Sequence, residues 1–218
     1  MYLLRRDEAY VGAGNRLRHG LMTTADFDAT LRGAQAGDEE CFAAIWREHQ
    51  PALLRYLRVM SGTAGEDLTS DTWLQVVRTL RTFSGNEQSF RGWLFTVGRN
   101  RYIDWYRRQS RRGEVIADVE ALDRPSTRDD PVATVEERMS TERALALIAT
   151  LPPDQAEAVM LRVIAELDVG TVALIMGRPP GTVRVLAHRG LRRLSQQIPS
   201  QTPDGPDPSK PEPEGLAV

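Results

Sequence analysis

Lysine and cysteine are nearly missing from this sequence, and long apolar runs are missing altogether. Lys210 is the only lysine among 28 basic residues; the other 27 are arginine. With abundant alanine and glycine, that bias points to a GC-rich genome, a matter of codon usage rather than of physics. Cys41 is the only cysteine, which excludes an internal disulfide and a thiolate-held metal cluster. Its expected place is a small residue on an apolar helix face. No apolar run approaches the ~20 residues needed to cross a bilayer, so no membrane insertion is expected. The opening MYLLRRDEAYVG brings charge too early and lacks the apolar core of a secretory signal, so the expected compartment is cytoplasmic. Catalytic signatures are absent as well. There is no phosphate loop, no GxSxG elbow and no HExxH, and His19, His49 and His188 lie far apart. These absences argue against an enzyme, a metal site or a cofactor.

What remains is a chain of 218 residues, 41% hydrophobic and 27% charged, enough for one domain or two small ones. Its formal net charge of −2 hides strong segregation. Residues 91 to 112, RGWLFTVGRNRYIDWYRRQSRR, hold seven arginines and five aromatics against one carboxylate, Asp104. Residues 113 to 142 hold nine carboxylates against three arginines, a balance of −6. From Arg178 to Arg193 there are five arginines and His188 with no carboxylate.

The periodicity is helical throughout, and nothing reads as a strand. Apolar residues from Asp38 to Met60 recur at helical spacing, started by Gly37-Asp38 and closed by Ser61-Gly62. Pro51 is expected to kink that helix or split it in two. A second helix is predicted from about Gly65 to Phe83, and a third from about Phe90 to Arg108 after a Ser-Gly-Asn loop at 84 to 86. The third helix has no single apolar stripe, the mark of a helix with a second partner. The acidic span, with Pro125 and Pro131, reads as a flexible linker. Helices are expected again at about 135–150, from Pro153 to about Glu166, over VGTVALIM between an Asp168 cap and Gly177, and from about Pro180 to Ile198. The last two, joined by a tight turn, have helix-turn-helix spacing. The tail from Pro199 holds six prolines in twenty residues and is expected to be disordered. The expected fold is all-α, two small helical domains joined by an acidic linker.

Three segments carry chemistry. A basic helix after a short helix and turn suits a major groove, where cations meet phosphates and guanine edges. Thr182, Arg184, Val185, His188 and Arg189 fall where base edges are reached, and Arg192 and Arg193 suit phosphates. The Arg-aromatic stretch suits unpaired nucleic acid, with bases stacked on rings and guanidinium groups along the backbone. EDLTSDTWLQVV, at 66 to 77, carries Glu66, Asp67 and Asp71 beside an apolar stripe of Leu68, Leu74 and Val77. Ordinary first-turn carboxylates explain those charges, and a protein-docking face is the most they suggest.

Together these segments resemble the small two-domain sigma factors of RNA polymerase, the extracytoplasmic-function type of the sigma-70 family. GDEECFAAIWREH resembles the start of the family's second conserved region, and EDLTSDTWLQVVRTL its polymerase-binding helix. FRGWLFTVGRNRYIDWYRR resembles the helix that opens and reads the −10 element, and LPPDQAEAVMLRVIAELDVGTVALIMGRPPGTVRVLAHRGLRRL the region that reads the −35 element. The resemblance covers roughly residues 30 to 196. It implies five parts: an extension at 1–28; region 2 at 29–112, for polymerase binding and −10 melting; an acidic linker at 113–134; region 4 at 135–198, for the −35 element; and a tail at 199–218.

By that resemblance, Glu66, Asp67, Leu68, Asp71, Trp73 and Leu74 meet core RNA polymerase at its beta-prime clamp. The −10 strand falls to Phe83, Trp93, Arg99, Asn100, Arg101, Tyr102, Trp105, Arg107 and Arg108, with Asn100 capturing a flipped base and loop 83–90 forming its pocket. The −35 duplex falls to Thr182, Arg184, Val185, His188, Arg189 and Arg192. An anti-sigma factor is implied as a partner by resemblance alone. Departures occur at Val185-Leu186, where the family commonly has Ser-Arg, and at Glu166-Leu167-Asp168, where Gly-Leu-Ser is usual. Residues 1 to 21 have no counterpart, which makes Met22 a second candidate start. A polymerase-independent helix-turn-helix regulator is the alternative, and a binder of single-stranded nucleic acid using only residues 91 to 112 is a third reading.

Overall fold

The structure is a computed structural model that describes residues 24–111 and 135–197. The expected linker, the Pro-rich tail and the alternative start lie outside those residues. Among the described residues every regular element is a helix. Four pack as an N-terminal unit: α1 (Thr24–Ala36), α2 (Glu39–Ser61), α3 (Gly65–Thr79) and α4 (Glu87–Arg111). Four form a C-terminal unit: α5 (Val135–Ala149), α6 (Pro153–Val159), α7 (Val169–Met176) and α8 (Pro180–Gln197).

The N-terminal core is built on α2, whose inward face carries Ile45, His49, Leu53, Tyr56 and Leu57. Phe27 and Leu31 of α1, Leu68, Trp73 and Val76 of α3, and Phe90, Leu94 and Phe95 of α4 close over it. Each such side chain removed from water contributes about 1.5–3 kcal/mol, so the packed face rather than intrinsic propensity holds the helices. Helix α1 starts ahead of the expected domain boundary at 28/29, because Phe27 is fully buried against Phe90, 5.6 Å between ring centroids. Asp38 caps α2 as expected, accepting from the Cys41 amide at 3.0 Å. Cys41 packs where α1 and α2 cross, so close that a Cβ on Gly33 would overlap its sulfur.

Pro51 does not split α2, which runs unbroken from Glu39 to Ser61. The carbonyl that loses its partner belongs to Arg47, an exposed residue, so water can serve it. The buried residues on both sides of the proline keep the two halves collinear with the core. Helix α4 begins three residues earlier than expected. Asn86 is its cap: Oδ1 accepts from both the amide and the hydroxyl of Ser89, each at 2.9 Å.

In the C-terminal unit, the helix expected from Pro153 to Glu166 is regular only to Val159. Residues Met160–Ile164 widen into a π turn, with Ala165 N–H bonded to the Met160 carbonyl at 2.9 Å. Glu166 then takes φ +51, a left-handed conformation that costs a non-glycine residue energy. The reversal drops Leu167 into the core, where it is fully buried. Asp168 caps α7 through the Gly170 and Thr171 amides at 2.7 and 3.0 Å. Burial would raise its carboxyl pKa, but these amides and the Thr171 hydroxyl outweigh it and hold it below the usual carboxylate value. Gly177, at φ +63, ends α7 and lets the chain turn into α8. The two units do not stand apart: α2 packs against α5, α6 and the π turn, and α4 packs against α7.

Candidate nucleic-acid interface

Helix α8 offers its chemistry outward. Val183 and Gly190 face inward, and a Cβ on Gly190 would come within 2.7 Å of Val159 Cγ2, so α8 lies hard against α6. That close seat leaves Thr182, Arg184, Val185, His188, Arg189 and Arg192 all exposed. All six residues expected to read duplex DNA therefore share solvent access on one helix. Arg189, Arg192 and Arg193 also rim an open concavity of about 330 Å³ floored by Gln155.

Helix α4 behaves differently along its length. At its start, Phe83 stacks on Trp93 at 5.0 Å between ring centroids, with Phe90 buried beneath both. Gln35 of α1 holds the preceding loop, its amide donating to the Leu80 and Phe83 carbonyls at 3.0 and 2.8 Å. Gly85 takes φ +151 there, a conformation open essentially to glycine. The loop borders an open cleft of about 460 Å³ whose other wall is Asp28, Leu31, Arg32 and Gln35. The resemblance puts a base pocket on residues 83–90; in the structure the start of that stretch, Phe83–Asn86, is one wall of this cleft, and α1, for which the sequence predicts no element, supplies the other. The polar face of α1, set between Phe27 and Leu31, was the available signal.

Further along α4, Asn100, Arg107 and Arg108 are exposed. Arg101 is tied to α3, donating to Gln75 Oε1 at 2.9 Å. Tyr102 is half-buried, its ring 6.3 Å from Trp105 and 6.1 Å from Tyr106. Burial, and then the negative charge of Glu157, raise the Tyr102 phenol above its ordinary pKa. Arg99 is not offered to solvent as its neighbours are. Its Nε donates to Glu157 Oε1 of α6 at 2.5 Å, and the same carboxylate oxygen accepts from the Tyr56 hydroxyl at 3.1 Å.

On α3 the six expected docking residues divide. Glu66, Asp67, Asp71 and Leu74 are exposed, with Leu74 at 56% and its neighbour Val77 at 54%. Leu68 and Trp73 instead point inward, at 3% and 6% exposure. Trp73 donates its indole N–H to Gln50 Oε1 at 2.5 Å and meets Phe42 edge-on. They shape the helix from beneath, because the buried side of α3 needs large apolar residues there. Glu66 is paired with Arg58 of α2 at 2.5 Å. No group of residues able to hold a metal ion occurs among the described residues, and no helix among them is long and apolar enough to cross a membrane.

Comparison with known proteins adds the following. The family described as Sigma-70 region 2 matches residues 45–112, and Sigma-70, region 4 matches residues 141–194. The chain is 33% identical over 168 residues to the ECF RNA polymerase sigma factor BldN of Streptomyces coelicolor, covering 76% of this chain and 63% of BldN. It is 30% identical over 182 residues to the ECF RNA polymerase sigma factor SigE of Mycolicibacterium smegmatis, covering 80% of this chain and 67% of SigE. In fold it resembles CnrH, solved with the cytosolic domain of CnrY, at TM-score 0.52 and 20% identity over 78% of this chain and 94% of the other. A similar likeness, TM-score 0.52 at 23% identity over 71% and 94%, joins it to RpoE of Bartonella quintana, solved with the anti-sigma factor NepR.

Proposed function

The chain belongs to the extracytoplasmic-function sigma factors of the sigma-70 family, and from that premise we propose that it binds core RNA polymerase and directs it to promoters, reading and melting the −10 element with its N-terminal unit and reading the −35 element with its C-terminal unit. It is an initiation factor rather than an enzyme, and it works in the cytoplasm, where polymerase and promoter are.

The observation that carries this reading is the order, in one chain, of an Arg-aromatic helix and a carboxylate-free arginine helix seated in a helix-turn-helix. On α4 the exposed Asn100 holds a flipped base, and Arg101, Arg107 and Arg108 follow the backbone, with Tyr102 and Trp105 between them; two turns before Asn100, Trp93 stacks on Phe83. On α8 Arg184 and Arg189 meet base edges while Arg192 and Arg193 meet phosphates. On α3, Glu66, Asp67, Asp71 and Leu74, with Val77, make the surface that meets polymerase, and Leu68 and Trp73 support it from the core. The unit expected at 29–112, extended back to Thr24 to include all of α1, and the unit at 135–198 are the two functional units, and the acidic span 113–134 joins them. An anti-sigma factor is a further partner, since sigma factors of this fold have been solved in complex with proteins of that kind.

Run-off transcription with host core RNA polymerase on pooled genomic fragments tests the proposal. Transcripts that depend on this protein, and whose starts share upstream −35 and −10 motifs, are the expected result. Tight duplex binding without polymerase, with no transcripts and no retention of core polymerase, would overturn it in favour of a self-sufficient helix-turn-helix regulator.

A further inference from the structure

Arg99 lies on the helix assigned to the −10 strand, yet it is occupied by the other unit of the same chain. Glu157 is only 5% exposed, and its Oε1 takes the Arg99 Nε–H at 2.5 Å and the Tyr56 O–H at 3.1 Å. Arg99 reaches onward to the Met176 carbonyl at 3.5 Å. At the edge of the same contact Arg91 pairs with Glu166 at 3.3 Å. Between these two points a Cβ on Gly92 would stand 2.8 Å from Thr171 Cγ2, so α4 and α7 touch where α4 has no side chain.

In this arrangement α4 packs on α7, and α7 packs on α8. Packed helix axes lie about 8–10 Å apart, which leaves the two reading helices within ~20 Å of each other. Elements centred near −35 and −10 are about 25 base pairs apart, or ~85 Å along the duplex. A packed pair of units this size has a radius of gyration of ~15 Å and cannot span that. The closed arrangement is thus incompatible with reading both elements at once.

We propose that Glu157 is a latch, holding the C-terminal unit against the α2–α4 face through Arg99 and Tyr56 in a closed state that must open before the promoter is engaged. The inference rests on the reading of α4 and α8 as the promoter-binding helices. A buried ion pair suits the task. Its attraction is largely cancelled by the loss of hydration, so the closed state is favoured only modestly, while specificity for this one docking is high. On opening, both charges regain water, and phosphate replaces the carboxylate as the partner of Arg99. The anion that holds the latch and the anion that releases it compete for one guanidinium.

The test uses the full chain with Cys41→Ala and the pair Gly92→Cys and Thr171→Cys, placed where a disulfide can close. In a glutathione redox buffer the pair is expected to oxidise readily, and at least about tenfold more slowly when Glu157→Gln is added; Tyr56→Phe, which changes no charge, is expected to slow it severalfold. In run-off transcription the oxidised protein is expected to be inactive and to recover on reduction. No disulfide in the parent pair, or the same rate with and without Glu157→Gln, would overturn the latch. So would full transcription from the oxidised form. Silence of the oxidised and reduced forms alike would refute the sigma reading instead, and the oxidation rates would still decide the latch.

Discussion

His49 should give the N-terminal unit a pH dependence that a single substitution removes. The imidazole is buried on α2 between Phe27 and Phe90, with ring centroids 6.3 and 5.2 Å away, and its Nε2 has no hydrogen-bond partner among the described residues. Burial first, and the Arg91 cation second, lower its pKa from the ordinary 6.5 to about 3. The folded unit therefore keeps His49 neutral at a pH where the unfolded chain takes up a proton. Stability falls as pH drops from 6.5 toward 3, at up to about 1.4 kcal/mol per pH unit. Between pH 7 and pH 5 the expected loss from this one group is about 2 kcal/mol. Carboxylates titrate in the same acid range, so the wild type alone does not isolate the effect; the difference from His49→Leu does. All four tryptophans (46, 73, 93 and 105) lie in the N-terminal unit, so tryptophan fluorescence follows its unfolding selectively. With a urea dependence of about 2 kcal/mol per molar, the wild-type midpoint should fall by about 1 M more than that of His49→Leu over this interval. Parallel shifts in the two proteins would refute the reasoning and show that His49 titrates as an ordinary histidine in the folded state.

Other outcomes are open to direct measurement. Gly65→Ala should destabilise the protein by roughly 2–3 kcal/mol, because the new Cβ would meet the Arg58 backbone at 2.7 Å; Gly98→Ala should cost well under half of that in the same urea titration, since its one close approach is to the side-chain end Leu53 Cδ1 at 2.9 Å, with Thr72 at an ordinary 3.8 Å, and it gains helix propensity. Asn100→Ala should slow open-complex formation, read by permanganate footprinting, without weakening retention of core polymerase; equal loss of both would remove Asn100 from the base-capture role. Arg184→Ala should weaken −35 duplex binding by about 1–3 kcal/mol if it reads a base edge, and a change confined to the salt dependence of anisotropy titrations would make it a phosphate contact.

The periodicity of the chain, with its caps and glycines, determined nearly all of the helices and the turn between α7 and α8, because those signals are local: Asp38, Asp168 and Gly177 act on amides and dihedrals within a few residues of themselves. Charge segregation likewise marked α8 as an outward-facing cationic helix, since a run of arginines without carboxylates cannot be buried. The tertiary structure alone decided which side of each helix is used. Leu68 and Trp73 are apolar like Leu74, but only the packing of α3 shows that the first two are buried in the core while Leu74 faces solvent. It also decided the fate of α1, whose Phe27 belongs to the core, and the continuity of α2 through Pro51. Above all it brought Arg99 and Tyr56 to Glu157, 58 and 101 residues away along the chain. No pattern in the sequence announces a contact at that separation, because its energy depends on two surfaces meeting rather than on any neighbour along the backbone.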